Sequence, residues 1–395
     1  VREKTVFLFI VALLIISCKR GEKESFVKTD LIDGILHVYN TGEPIEGKIS
    51  LEVSEVLRID PTEIEPENPP LFETAVKDDL GNLYLADNQN VRVYKFDSGG
   101  KPIAQFLRKG QGPGEFPMFG DLQVADDHLW VIGTWPLKIA KFTLDGQFIN
   151  EWMFRKFRNF YLRTRVIDED KFLTVSYRDG GENPEDRTRV STLMNSSEEL
   201  LTQYYEDENA GIFRIRTGQQ EGPAIASTNP LIAADIHHAY DRNSGTVYVC
   251  NNREYEIQAK NPDGTTRMVI HKTQEKMALD DQAKDNILQL IAPRIPPEAR
   301  QSAKEQLPPT LNAIWGMAVI PSGNLAVRRI TGLESVEIDV FDKEGRLLLT
   351  ILPSTDIPNL RNVSIFKGTI GVIFEEEEKN IYVEYRVKNL EEILD

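Results

Sequence analysis

One unit of short strand signals and tight turns returns six times along this chain, and a repeat of that kind leaves few folds open. The clearest copy is residues 81–107. It reads Gly81-Asn82-Leu83-Tyr84-Leu85-Ala86-Asp87, then Val91 to Phe96, a turn at Asp97 to Gly100, and Ile103 to Leu107. Each run is β-branched or aromatic, or alternates apolar with polar residues, and is bounded by Gly, Asp or Asn, which are strand and hairpin signals. The first apolar residue of this pattern recurs at Leu83, Leu129, Phe172, Val247, Leu325 and Ile370. The later copies turn at Leu144 to Gln147, Asn195 to Glu198, Asn261 to Gly264 and Asp342 to Gly345. A further short strand precedes each of these positions, as in Thr74 to Val76, Leu122 to Val124 and Gly316 to Val319.

Four strands per unit, with three of the five steps near the ~40–50 residues of a propeller blade, predict a six-bladed β-propeller of antiparallel blades. The two long steps require insertions. The first takes in the polar loop 178–188 and the stretch 206–230; the second is 274–309. Within the second, Ala283, Ile287, Leu290 and Ile291 fall at helical spacing. Pro297 then suits the first turn of another helix, Glu298 to Gln306, stopped by Pro308-Pro309. A packing flap is the expectation for this small helical insertion; the alternative is a lid over the central channel. The sixth unit has no fourth strand before the chain ends, whereas Ile49 to Ile59 alternates without a hairpin partner. The N-terminal strand is therefore expected to complete the last blade and close the ring, leaving only short edges.

The N-terminal end carries a different kind of signal. Arg2 and Lys4 precede Val6 to Ile16, eleven residues with no polar side chain. That is short of the ~20 residues a spanning helix needs, and fits the apolar region of a secretory leader. Leu14-Ile15-Ile16-Ser17-Cys18 follows, similar to the lipobox at which bacterial lipoproteins are acylated and cleaved. The expected organisation is a signal peptide over 1–17, a lipidated Cys18 and tether over 18–44, and the propeller over 45–395. Lys19 after the cysteine favours an outer-membrane address, on the periplasmic or the surface side. Val1 fits translation from a GTG codon, which would make this the natural start.

With 46 basic and 62 acidic residues, the net charge is −16. Nucleic-acid binding rests on Lys and Arg neutralising phosphates, so that class of partner is excluded. Of two cysteines, Cys18 is assigned to lipid. Cys250 is then unpaired within a strand and reads as a buried, inert thiol. The glycine-rich Gly110 to Phe116 lacks the following helix and the Lys-Ser/Thr of a phosphate loop. It reads as a crossover between blades, with Phe116 inserted between them.

The Gly81 to Asp87 strand, the Asp-x-x-Gly turns and the Gly110 to Phe116 linker resemble NHL-type repeats. Over about residues 45–390 the chain is similar to six-bladed β-propeller lipoproteins of Gram-negative bacteria. That resemblance implies a binding or scaffold role, for a peptide, a glycan or a partner protein. Related propellers with lactonase or lyase activity hold a metal at the channel mouth with acidic, Asn or His ligands, which implies the alternative of a metal-dependent hydrolase.

The starts of the innermost strands fall near Glu73, Asp121, Arg163, Asp235 with His237 and His238, Trp315, and Arg361 with Asn362. These are the candidate channel residues. Glu73, Asp121, Asp235 and Asn362 would suit Ca²⁺, which takes oxygen ligands, if they converge; His237 would join them for a transition metal. No cofactor is otherwise expected. Trp315 and Trp135 are the aromatic platforms to consider for a sugar. His37, His128 and His271 stand apart in sequence, and Glu375 to Glu378 reads as a solvated hairpin.

Overall fold

The second strand of every unit lies where the repeat placed it: Leu83–Asp87, His128–Thr134, Lys171–Tyr177, Val247–Asn251, Leu325–Ile330 and Thr369–Glu376. The computed structural model describes residues 27–134, 137–155, 163–177, 188–208, 210–211, 213–216, 224–357, 359–376 and 379–388. The residues read from sequence as a signal peptide, Cys18, Trp135 and most of the polar loop 178–188 lie outside them.

Six four-stranded antiparallel blades form the ring, numbered here I to VI from the blade that starts at Phe72. Their innermost strands are Phe72–Lys77, Asp121–Ala125, Arg163–Asp168, Ile236–Tyr240, Ile314–Val319 and Val363–Phe366. Each blade buries both faces against its neighbours. One apolar cluster joins I to II through Tyr84, Phe116, Leu122 and Val131, and another joins V to VI through Val336, Ile338, Ile370 and Val383. The turn from third to fourth strand explains the repeated glycine. At Gly100, Gly146, Gly264 and Gly345 φ lies near +80°, a region that costs an L side chain energy but not glycine. Blade III places Glu198 in the same conformation, with φ 62°.

Closure goes further than expected. Val53–Ile59 pairs antiparallel with Lys379–Val387 and completes blade VI. The residues ahead of it, assigned from sequence to the tether and to the start of this same strand, are strands of other blades. Val27–Ile32 and Ile35–Asn40 form a hairpin whose second strand runs parallel to Thr266–Lys272 of blade IV. Gly47–Ser50 lies parallel to Leu347–Leu352 of blade V. The N-terminal segment thus covers the outer edges of three successive blades, which would otherwise offer unpaired amides. Asn40 locks the crossing: its side chain donates to the Gly345 carbonyl (3.0 Å) and accepts from the Leu347 amide (2.8 Å).

The insertion holds two helices, Asp281–Ile291 and Pro297–Gln306. Asp280 caps the first, accepting from the Ala283 amide (2.8 Å), and Pro297 opens the second. Ala283, Ile287 and Leu288 are buried, whereas Leu290 is 57% exposed. The buried sector is rotated toward Leu288, leaving Leu290 at its solvent edge. Both helices pack with Leu231, Ile232, Leu311, Ile330 and one side of Trp315. Among the described residues no helix is long and apolar enough to cross a membrane.

Candidate functional site

Inner strands bring Asp121, Arg163, His237 and Trp315 to one cavity of about 350 Å³ at the channel mouth. Arg165, His238 and Arg328 line it too. Arg328 was not legible as a channel residue, because it lies in the second strand of blade V rather than the first. A Ile314/Gly316 bulge in the neighbouring strand lets its side chain reach inward past Gly316, where a Cβ would meet His237 Nδ1 at 3.8 Å and the Arg328 guanidinium at 4.0 Å.

Asp235 organises one wall. Its Oδ2 accepts from Arg163 Nη1 and its Oδ1 from Arg189 Nη1. Oδ1 also accepts from the Ile236 amide (2.8 Å), while its own amide donates to Asn252 Oδ1 (2.8 Å). Burial would raise this carboxyl's pKa, but the charges of Arg163 and Arg189 hold it below the usual carboxylate range. Arg163 also donates to the Ile236 carbonyl (3.1 Å), tying the inner strand of blade III to that of blade IV. Arg189 is buried, donates to the Tyr177 hydroxyl (2.9 Å), and lies over that ring with its guanidinium carbon 5.1 Å from the centroid.

The opposite wall is set by Gln123. It donates to the Thr164 carbonyl (2.6 Å) and accepts from the Val166 amide (3.0 Å), clamping blade II to blade III. It also donates to Asp121 Oδ2 (2.8 Å). Enclosure by protein raises the Asp121 pKa despite the opposing charge of Arg165.

The two histidines are buried and neutral. Burial, then the Arg165 and Arg163 charges, bring His238 down to about 3. His238 Nδ1 lies 3.3 Å from Ser191 Oγ. Burial and Arg163 push His237 well below its ordinary value. Its Nε2 is buried without a hydrogen-bond partner among the described residues. Arg328 donates to the Arg361 carbonyl (2.6 Å). The Arg361 guanidinium in turn covers the Trp315 ring, 4.6 Å from its centroid.

Glu73 and Asn362 go elsewhere. They line a second cavity, of about 550 Å³, with Asp356, Glu375, Asn380 and Phe374. Burial and then Asp87 raise the Glu73 pKa. The four oxygen donors considered for calcium are therefore divided: two line this cavity, Asp121 lines the channel mouth, and Asp235 is held by two arginines. Among the described residues no three His, Cys, Asp or Glu side chains gather as metal ligands. Trp135 lies outside the described residues. Trp315 lines the channel mouth and has one ring face occupied by Arg361.

The amides of Gly112 and Gly114 are already bonded to the carboxylates of Glu115 (3.0 Å) and Glu151 (2.8 Å). Phe116 is buried in the seam between blades I and II. Cys250 is buried, and burial pushes its thiol up to about 12. His37 and His271, which stand apart in sequence, are brought together by the N-terminal hairpin: Nδ1 of one lies 2.9 Å from Nε2 of the other, and Tyr39 stacks on His271 at 4.6 Å.

Residues 64–260 match the model of a family described as 6-bladed beta-propeller. This chain is a six-bladed β-propeller. The propeller resembles a protein from Bacteroides fragilis described as exported, at 13% identity and TM-score 0.50, covering 89% of this chain and all of that one. It also resembles a member of the duf4221 family from Bacteroides vulgatus, at 8% identity and TM-score 0.51, covering 86% and 99%. A gluconolactonase from Xanthomonas campestris aligns at 13% identity and TM-score 0.42, covering 81% and 87%. At these identities the likeness is one of fold. No curated protein is similar to the chain in sequence.

Proposed function

We propose that this propeller is a non-catalytic binding protein, tethered to the outer membrane through a lipidated Cys18, that takes a group of a peptide, glycan or partner protein into its channel mouth. The observation that supports this most is preorganisation without a reactive pair. Arg163 is fixed by Asp235, Asp235 is held ionised by two arginines, and the Gln123 clamp fixes the strand opposite. His237 and His238 are neutral and make no hydrogen bond to either carboxylate among the described residues. Such a site can orient a ligand at little entropic cost, while its carboxylates and imidazoles are poorly matched to shuttle protons near neutral pH.

The test is a glycan and peptide array probed with the soluble domain, beside a Gly316→Leu variant whose new side chain would fill the cavity against His237 and Arg328. Capture by the parent and loss in the variant, without turnover of a lactone panel, is the expected result. Turnover of any lactone, or capture indifferent to the plug, would overturn the proposal. Tethering is checked separately: metabolic labelling with palmitate should mark the full chain and be abolished by Cys18→Ala.

A further inference from the structure

The charges around the channel mouth do not balance. Arg163, Arg165, Arg189 and Arg328 face two carboxylates, Asp121 and Asp235. Asp235 is shared by Arg163 and Arg189. Among the described residues, neither Arg165 nor Arg328 has an ion-pair partner within 4.0 Å. In a chain of net charge −16, a surplus of about two positive charges in one enclosed cavity runs against the composition. Arg328 feels it: burial and the charge of Arg163 both lower its pKa. Two guanidinium groups that repel each other in a poorly solvated space are a cost to the fold unless an anion enters between them. Arginine is also the side chain best suited to grip a carboxylate with two parallel hydrogen bonds.

The rest of the lining points to more than a bare anion. His237 is 4% exposed, lines the cavity, and has a buried Nε2 with no partner. Asp121, on the opposite side, would repel a small ion but accepts hydroxyl donors well. The cavity, at about 350 Å³, is on the order of ten times the ≈ 30 Å³ share of one water. Trp315 lines the same cavity beside these polar groups, and an aromatic side chain among polar groups is a combination suited to a sugar ring.

We propose that the channel mouth binds an acidic sugar of the uronic-acid type, its carboxylate between Arg163 and Arg328 and a hydroxyl on Asp121. The proposal rests on the binding reading above and names its ligand class.

Calorimetric titration of the soluble domain with galacturonate and glucuronate, and with galactose, glucose and inorganic phosphate, tests it. A uronate should bind at least about tenfold more tightly than the matching neutral hexose, as expected for a charged hydrogen-bonding group. Its affinity should fall as salt is raised. Arg328→Gln, which removes the guanidinium charge, should weaken uronate at least about tenfold while keeping the parent's melting temperature. Gly316→Leu should abolish binding. Equal affinity for uronate and hexose, phosphate binding without uronate binding, no uronate binding at all, or indifference to Arg328→Gln would each overturn the acidic-sugar inference. If array capture is still lost in Gly316→Leu in those cases, the channel remains a binding site for another ligand. If capture survives the plug, the binding reading itself fails.

Discussion

Two neighbouring seams of this propeller each bury an aspartate between two cations, and they do so to different ends. At the seam of blades IV and V, Asp339 is fully buried. Its Oδ2 accepts from Lys272 Nζ (2.7 Å), Arg329 Nε (2.9 Å) and the Tyr255 hydroxyl (2.9 Å), and its Oδ1 from the Thr350 hydroxyl (2.6 Å). Arg329 also pairs with Glu337, so two cations meet two anions. A large apolar cluster that includes Tyr248, Ile257, Ile270, Val327 and Phe341 surrounds this group. At the seam of blades III and IV the described apolar clusters are small, one of Val175, Ala210, Ile236 and Val249, the other of Leu173, Tyr204 and Val247. Asp235 there is outnumbered by Arg163 and Arg189 and borders an open cavity. Every bond of the Asp339 group is spent inside the protein, whereas the Asp235 group keeps positive charge and donor capacity facing water. Neutrality and closure mark a structural ion cluster; surplus and an opening mark a site.

The comparison is sharpest in stability. Asp339→Ala would leave Lys272 and Arg329 buried without a counter-charge and should cost about 3–5 kcal/mol, measured by urea unfolding. The fraction that stays folded should keep the channel's ligand affinity. An Asp339→Ala protein of parental stability would mean that the seam is not held by this network.

Acid should separate the two seams by pH. His237 and His238 have folded pKa values below the unfolded value of about 6.5. Their contribution is complete above that value and is lost as pH falls toward the folded pKa, about 3 for His238. Each adds a slope of about 1.4 kcal/mol per pH unit within its window, so two units of acidification should cost about 2–3 kcal/mol through His238 alone. Asp235 and Asp339 also have lowered pKa values, but their contribution begins to fall only near the unfolded carboxylate value of about 3.9. Denaturation followed between pH 7 and 4.5 should therefore loosen the channel seam first. His238→Gln should flatten the curve across that range, and an unchanged slope would contradict this account.

Asp235→Asn keeps its shape and one acceptor while removing the charge. A loss of about 2 kcal/mol is expected, less than at Asp339 because cavity water can reach Arg163. Arg328→Gln should have the smallest effect, within about 0.5 kcal/mol of the parent or slightly stabilising, because it removes an unpaired cation rather than a pair. A large destabilisation there would place Arg328 with the structural cations and weaken the case for an open anion site.

Much of this architecture was legible before any coordinates. Alternating apolar residues, turn residues at fixed offsets and a recurring period determined the blades, because strand face and turn type are local properties. The helices of the insertion were legible for the same reason, except that Leu288 rather than Leu290 faces inward. Only the tertiary structure decided what depends on blades meeting. Residues 35–40 and 47–50 pair in parallel with strands more than two hundred residues away, and no local pattern specifies such a partner. Glu73 and Asn362 part from Asp121 because a residue near a strand start can face either side, and one step of register reverses it. Arg328 and the His37–His271 contact come from strands outside the channel's inner ring. The sequence by itself determined six blades and where their inner strands begin; packing of the blades decided which of the residues near those starts share a cavity, and left that cavity with more positive charge than the protein pairs.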